Sequence, residues 1–104
     1  MAIQHLALFR WNSEVTPEQV ATFCDVLQEF RAQMPVLVSY RYGSDLGLRA
    51  GNLDFGVAAV VAEPAQIAEY LDHPRHQAIA KDYISWMVAE RFAVQFEIEL
   101  DGAR

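Results

Sequence analysis

Cysteine is nearly absent from this chain of 104 residues: Cys24 stands alone. One cysteine excludes an intramolecular disulfide and any Cys-rich metal centre. Its neighbours Val20, Phe23 and Leu27 predict a small buried apolar side chain rather than a redox thiol. Positive charge is scarce as well. Lys81 is the one lysine, the seven arginines are scattered, and the net charge is −6. Nucleic-acid binding needs clustered Lys and Arg to neutralise phosphates, so no nucleic-acid partner is expected. Long apolar runs are missing too. No stretch approaches the roughly 18 residues that a membrane span requires, so no membrane partner is expected. The opening Met1-Ala2-Ile3-Gln4-His5-Leu6 lacks the basic region and long apolar run of a signal peptide. A reducing, cytoplasmic setting follows as the expectation. There is no phosphate-binding loop, because Gly43, Gly47 and Gly51 are not followed by Lys-Ser/Thr, and no serine nucleophile elbow.

What the chain does have is apolar material: 53% of its residues are hydrophobic, high for a domain of this size. One domain over residues 1–104 is expected, with enough core to fold and apolar surface left to cover. Residues 2–11 read as a strand, with Ile3, His5, Ala7, Phe9 and Trp11 on one face. Its other face, Ala2, Gln4, Leu6, Leu8 and Arg10, is also largely apolar. A strand covered on both sides would bury His5, and a buried imidazole needs a polar partner or a cavity.

Thr16-Pro17-Glu18-Gln19 is a helix start, with Thr16 as cap, Pro17 in the first turn and Gln19 closing a capping box. Val20, Phe23, Cys24, Leu27, Phe30 and Met34 form its buried stripe, and Pro35 ends it. A second strand is predicted over 36–42, a glycine-bearing loop over 43–52 and a third strand over 53–62. Pro64 predicts a short helix over 64–71. Pro74 predicts a longer one over 74–90, with Ile79, Tyr83, Trp86, Met87 and Glu90 on related faces. Phe92, Val94, Phe96, Ile98 and Leu100 then alternate with polar or small residues as a fourth strand. The order β-α-β-β-α-β is the ferredoxin-like α+β plan, a four-stranded antiparallel sheet with helices on one face. The bare face would be covered most simply by a second copy, two sheets packing as a dimer.

Tyr70-Leu71-Asp72-His73-Pro74-Arg75-His76 holds two of the three histidines. If Pro74 opens the helix, His73 is its cap and His76 shares the sheet-facing side with Ile79, Ala80 and Tyr83. The positive end of the helix favours neutral imidazole at His76, available as a base. Tyr70 can bring a phenol beside it, and His5 can meet both from the first strand, with Asp54 an alternative partner for His5. Plain capping and core packing account for the same residues without any chemistry. A metal held by His73 and His76 with Asp72 or His5 is another reading, but a spacing of three is nonspecific, and neither metal nor cofactor is expected.

Ile3-Gln4-His5-Leu6, Leu53-Asp54-Phe55 and above all Tyr70–His76 resemble the stress-responsive A/B barrel (Dabb) domain family, in order and over essentially the whole chain. The His-Pro-x-His element is the most specific part. The resemblance implies a dimeric α/β barrel, a homodimer joined through a shared β-barrel. It also implies, by likeness to a plant branch of polyketide cyclases, a cofactor-free catalytic set. That set is His76 as base, Tyr70 assisting and His5 in the pocket, acting on a small apolar or aromatic ligand. Two departures accompany it: a third-strand pocket histidine is replaced, at Gly56, and a first-helix tyrosine by Phe23 or a neighbour. Two further readings share the fold: a non-catalytic stress or assembly protein, and a cofactor-free monooxygenase of the related dimeric-barrel type.

Overall fold

Strand β1, Ala2–Trp11, is the organising element of a computed structural model that describes residues 1–100; the last four residues of the expected domain lie outside the described residues. It pairs antiparallel with β3, Phe55–Val61, on one side and with β4, Val88–Ile98, on the other, and β2, Leu37–Ser44, extends the sheet beyond β3. The order β2-β3-β1-β4 leaves β2 and β4 as edges. Helices α1, Pro17–Ala32, α2, Ala65–Leu71, and α3, Pro74–Ile79, complete the ferredoxin-like α+β plan.

Helix α1 starts as its residues dictate. Thr16 Oγ1 accepts from the Gln19 amide at 3.2 Å, and the Thr16 amide donates to Gln19 Oε1 at 2.9 Å. Phe23, Leu27, Phe30 and Met34 are buried from it. They meet Phe9, Tyr40, Phe55 and Val57 from the sheet, where Phe23 packs edge-on to both Trp11 and Phe55. Fully burying an aromatic side chain contributes roughly 1.5–3 kcal/mol, so these rings hold the helix layer to the sheet.

Four expectations need correction. The helix expected over 74–90 is shorter and irregular: α3 gives way to a π-helical turn over Ala80–Ile84 and a last α turn, Ser85–Met87. The chain is already extended at Val88, which pairs with Trp11. Two bonds pin that end to β1: the Asn12 amide donates to the Met87 carbonyl at 2.7 Å, and the Asn12 side chain to that of Trp86. A π turn takes in one extra residue; Ile84 lines the cavity beside His76 while Tyr83 packs against Phe23, and Trp86 is left exposed. Second, β2 keeps Gly43 and Ser44, expected in the loop. A bulge between Leu37 and Ser39 breaks its alternation, burying Leu37 and exposing Val38. Third, β3 begins at Phe55 instead of 53. The Asp54 carbonyl accepts from the Asp45 amide, and the Asp54 carboxylate is spent on the Trp11 amide at 2.9 Å. Fourth, β4 ends at Ile98, leaving Leu100 outside the ladder.

All helices lie on one face of the sheet. On the other, Leu8, Phe92, Val94 and Phe96 remain exposed although they belong to regular strands. Among the described residues no helix is long and apolar enough to cross a membrane.

Candidate active site

The junction of α2 and α3 is built by Pro74. His73 adopts an extended backbone (φ −62°, ψ 138°) and its Nδ1 accepts from the Arg75 amide at 3.1 Å. That capping bond uses the ring nitrogen nearest the chain and fixes α3 so that His76, one turn in, faces the sheet. Tyr70 closes α2 from the other side and is almost wholly buried.

His5, Tyr70 and His76 come together. The Tyr70 and His76 ring centroids are 5.0 Å apart at 73°, and those of His5 and Tyr70 are 5.9 Å apart at 74°. Both contacts are edge-to-face, the favoured aromatic geometry. Phe30 packs edge-on to His76 at 5.7 Å, and Tyr40 lies 6.4 Å from Tyr70. The three residues border a cavity of about 310 Å³ lined also by Phe9, Phe23, Tyr40, Ile84 and Arg91. That volume lies at the lower end of the range for small-molecule pockets.

The partner of His5 is not Asp54, which is occupied at the far end of β1. It is Gln95 on the neighbouring strand, whose Nε2 lies 2.7 Å from His5 Nδ1. An amide nitrogen only donates, so Nδ1 accepts and the ring proton sits on Nε2. Burial lowers the pKa of His5, with the Arg91 charge adding to the effect. Burial also brings His76 down to about 4; the nearby His5, Arg91 and His73 reinforce this, and Asp72 opposes it. Both imidazoles are therefore neutral near pH 7. Burial pushes the Tyr70 phenol up to about 12, partly offset by a hydrogen bond with Tyr40 and by Arg91. Tyr40 is raised further still, again mainly by burial. Both phenols stay protonated donors.

Among the described residues no three His, Cys, Asp or Glu side chains converge as a metal site would need; His73 turns its Nδ1 to its own helix while His76 stacks against Tyr70 and Phe30. Position 56 also falls elsewhere than the family resemblance implies. Gly56 registers with Leu8 and a Cβ there would meet Leu8 Cδ2 at 3.4 Å, so a side chain at 56 would project from the open face. Val57 supplies the cavity side, and Phe23 does line the cavity. Tyr40, Arg91 and Gln95 belong to the site and were not legible beforehand. Tyr40 lay in a strand whose phase is broken by a bulge. Gln95 and Arg91 meet His5 and the cavity only through the β1–β4 register.

The chain matches, over residues 3–98, the family model described as Stress responsive A/B Barrel Domain. An uncharacterised protein of Streptomyces coelicolor is 28% identical over 94 residues, covering 85% of this chain and 96% of that one. A dimeric ferredoxin-like protein of unknown function from Thermobifida fusca, solved by crystallography, is 45% identical with a TM-score of 0.86, covering 94% of this chain and 92% of that one. The hydroxynitrile lyase of Passiflora edulis shares the fold at 16% identity and a TM-score of 0.82, covering 95% and 94% of the two chains.

Proposed function

The chain belongs to the stress responsive A/B barrel (Dabb) domain family, and from that premise we propose that it is a homodimeric, cofactor-free enzyme of cyclase- or isomerase-like type. Its reaction is proton transfer beside a carbonyl, on a small aromatic or polyketide-type metabolite held in the 310 Å³ cavity. The observation that carries this reading is a neutral His76 held edge-on to a protonated Tyr70 beside a partly open, mainly apolar cavity.

His76 takes the proton from the carbon next to the carbonyl; the C–H electron pair becomes an enolate, and the imidazolium returns the proton at another atom of the same molecule. The Tyr70 hydroxyl donates to the carbonyl oxygen as charge builds there, and the Arg91 guanidinium bordering the cavity stabilises the same charge. His5, tied to Gln95, presents its Nε2–H as a further donor. A base whose conjugate acid titrates near 4 suits a carbon acid that is already activated, such as one between two carbonyls. Once the enolate forms, its negative charge favours the imidazolium and closes the remaining gap. The dimeric relative and the bare apolar sheet face support self-association. A lone cysteine supports the cytoplasmic setting.

Exchange of α-protons for deuterons, followed by proton NMR on phenylacetone and benzoylacetone in D₂O, tests the reaction directly. Wild type should exceed the buffer rate, and His76→Ala should lose on the order of 10²–10⁴-fold of that gain with its circular dichroism unchanged. A folded wild type with no acceleration of either ketone, or a His76→Ala variant as fast as wild type, would sink the enzyme reading.

A further inference from the structure

One charge at the cavity has no counter-charge. Arg91 is the only arginine or lysine that lines it. Among the described residues the one ion pair joins Arg10 to Glu90, which occupies the acid next to Arg91 in the chain. Asp72 also lines the cavity but makes no ion pair with Arg91. The strand register explains where the guanidinium stands. Arg91 is opposite Phe9 and Gln95 opposite His5, so both β4 side chains project toward the helices. Between them Ala7 is opposite Ala93, and these two small side chains leave room along the floor. Arg91 itself is exposed, so it stands at the rim with its donors open to an entering molecule.

An unopposed guanidinium here works against the base. The titratable groups around the cavity are His5 from β1, Tyr40 from β2, Tyr70, Asp72 and His73 from the helical side, and Arg91 from β4. Burial is the main reason that His5 and His76 titrate low, and Arg91 adds to it at both. At His76 the Arg91 charge outweighs that of Asp72, so it opposes the imidazolium that a general base becomes. A ligand that brings a negative charge to Arg91 cancels this opposition. His76 then becomes a stronger base only while that ligand is bound.

Resting on the proton-transfer reading above, we infer that the substrate is an aromatic α-oxo acid whose carboxylate is held by the Arg91 guanidinium. The planar fork of N–H donors matches a carboxylate with two parallel bonds. In an α-oxo acid the carbonyl is joined directly to the carboxylate carbon, so one guanidinium serves both groups and Tyr70 shares the carbonyl oxygen. The ring takes the apolar part of the lining, with Phe9, Phe23 and Leu27. His76 removes a proton from the carbon beyond the carbonyl. That C–H electron pair becomes the carbon–carbon double bond, and the carbonyl oxygen takes the charge. The same proton then passes from His76 to that oxygen, giving the enol.

Binding and turnover test this separately. An NMR titration of the full chain compares hydrocinnamate with hydrocinnamamide, two unreactive ligands of similar shape. Wild type should bind the acid on the order of 10–100-fold more tightly. Arg91→Gln, shown folded by circular dichroism, should lose that preference. Arg91→Lys should keep part of it, since the charge stays and the fork is lost. The His76 ring-proton titration should move up with hydrocinnamate bound and stay in place with the amide. Deuterium exchange at the α-carbon of phenylpyruvate should exceed that of its methyl ester by a similar factor in kcat/KM. Equal affinity for acid and amide, or a preference that survives Arg91→Gln, overturns the carboxylate site and leaves proton transfer to be judged on the neutral ketones. An Arg91-dependent preference with phenylpyruvate exchanging no faster than in buffer overturns proton transfer and leaves the carboxylate site standing.

Discussion

The two faces of this sheet carry similar apolar content but are finished differently. Facing the helices, Phe9, Tyr40, Phe55 and Val57 are buried against Phe23, Phe30 and Tyr70, and a cavity of about 310 Å³ is bordered by His5, His76 and Arg91. On the opposite side, Leu8, Phe92, Val94 and Phe96 alternate with equal regularity and remain exposed. Period-two alternation is the same in both cases. The difference lies in what covers each face: helices cover the first, and among the described residues nothing covers the second. The proposed chemistry belongs to the covered side, where burial holds His76 neutral and Tyr70 protonated near pH 7.

The contrast can be broken or sharpened by experiment. Phe30→Ala on the helix side should have the largest effect on folding. It touches Tyr40, Tyr70 and His76, and its loss should cost about 3–5 kcal/mol in urea unfolding. A loss below about 1 kcal/mol, the range of a surface site, would show that this face is not the core. Acid comes next. The unfolded chain protonates His76 near 6.5, whereas the folded chain holds it neutral until about 4. Its stabilisation is therefore complete above pH 6.5 and lost as pH falls toward 4, roughly 1–3 kcal/mol allowing for the partial exposure of the ring. His5 acts in the same direction. Urea midpoints of wild type and His76→Gln between pH 4 and 7 should converge at the acid end; parallel curves would contradict the shift.

Tyr40→Phe should cost about 1 kcal/mol, the usual net worth of one hydrogen bond, and should slow α-proton exchange by making Tyr70 a weaker donor. An unchanged exchange rate would confine Tyr40 to packing. The smallest effect is expected on the open face. Val94→Ser should move the stability of the dilute, monomeric chain by no more than about 0.5 kcal/mol. At concentrations where copies associate it should lower the melting temperature measurably. Equal loss under both conditions would mean that this face is already covered within the chain.

Local chemistry was readable in particular residues. Thr16-Pro17-Glu18-Gln19 specified a cap that forms as expected, and His73-Pro74 specified another. His5, Tyr70 and His76 were legible as a cluster because strand alternation and helix phase both aimed them at the same layer. The boundary of the second helical region was not legible. Val88 to Glu90 read as helix until pairing with Trp11 and Arg10, including an Arg10–Glu90 bond of 2.7 Å, drew them into β4. Nor was the side of Gly56 legible, since a face can be assigned only once Leu8 stands opposite.

By itself the sequence determined the order of strands and helices, the capped starts of the helices at Pro17 and Pro74, and which side chains can exchange protons near neutrality, because capping, alternation and imidazole chemistry act within a few residues. Only the tertiary structure decided that Gln95 satisfies His5, that Arg91 borders the cavity, and that a π turn over Ala80–Ile84 leads to an Ile84 that lines it. Those facts depend on the register between strands far apart in the chain, and a one-residue slip in such a register exchanges the two faces of a strand.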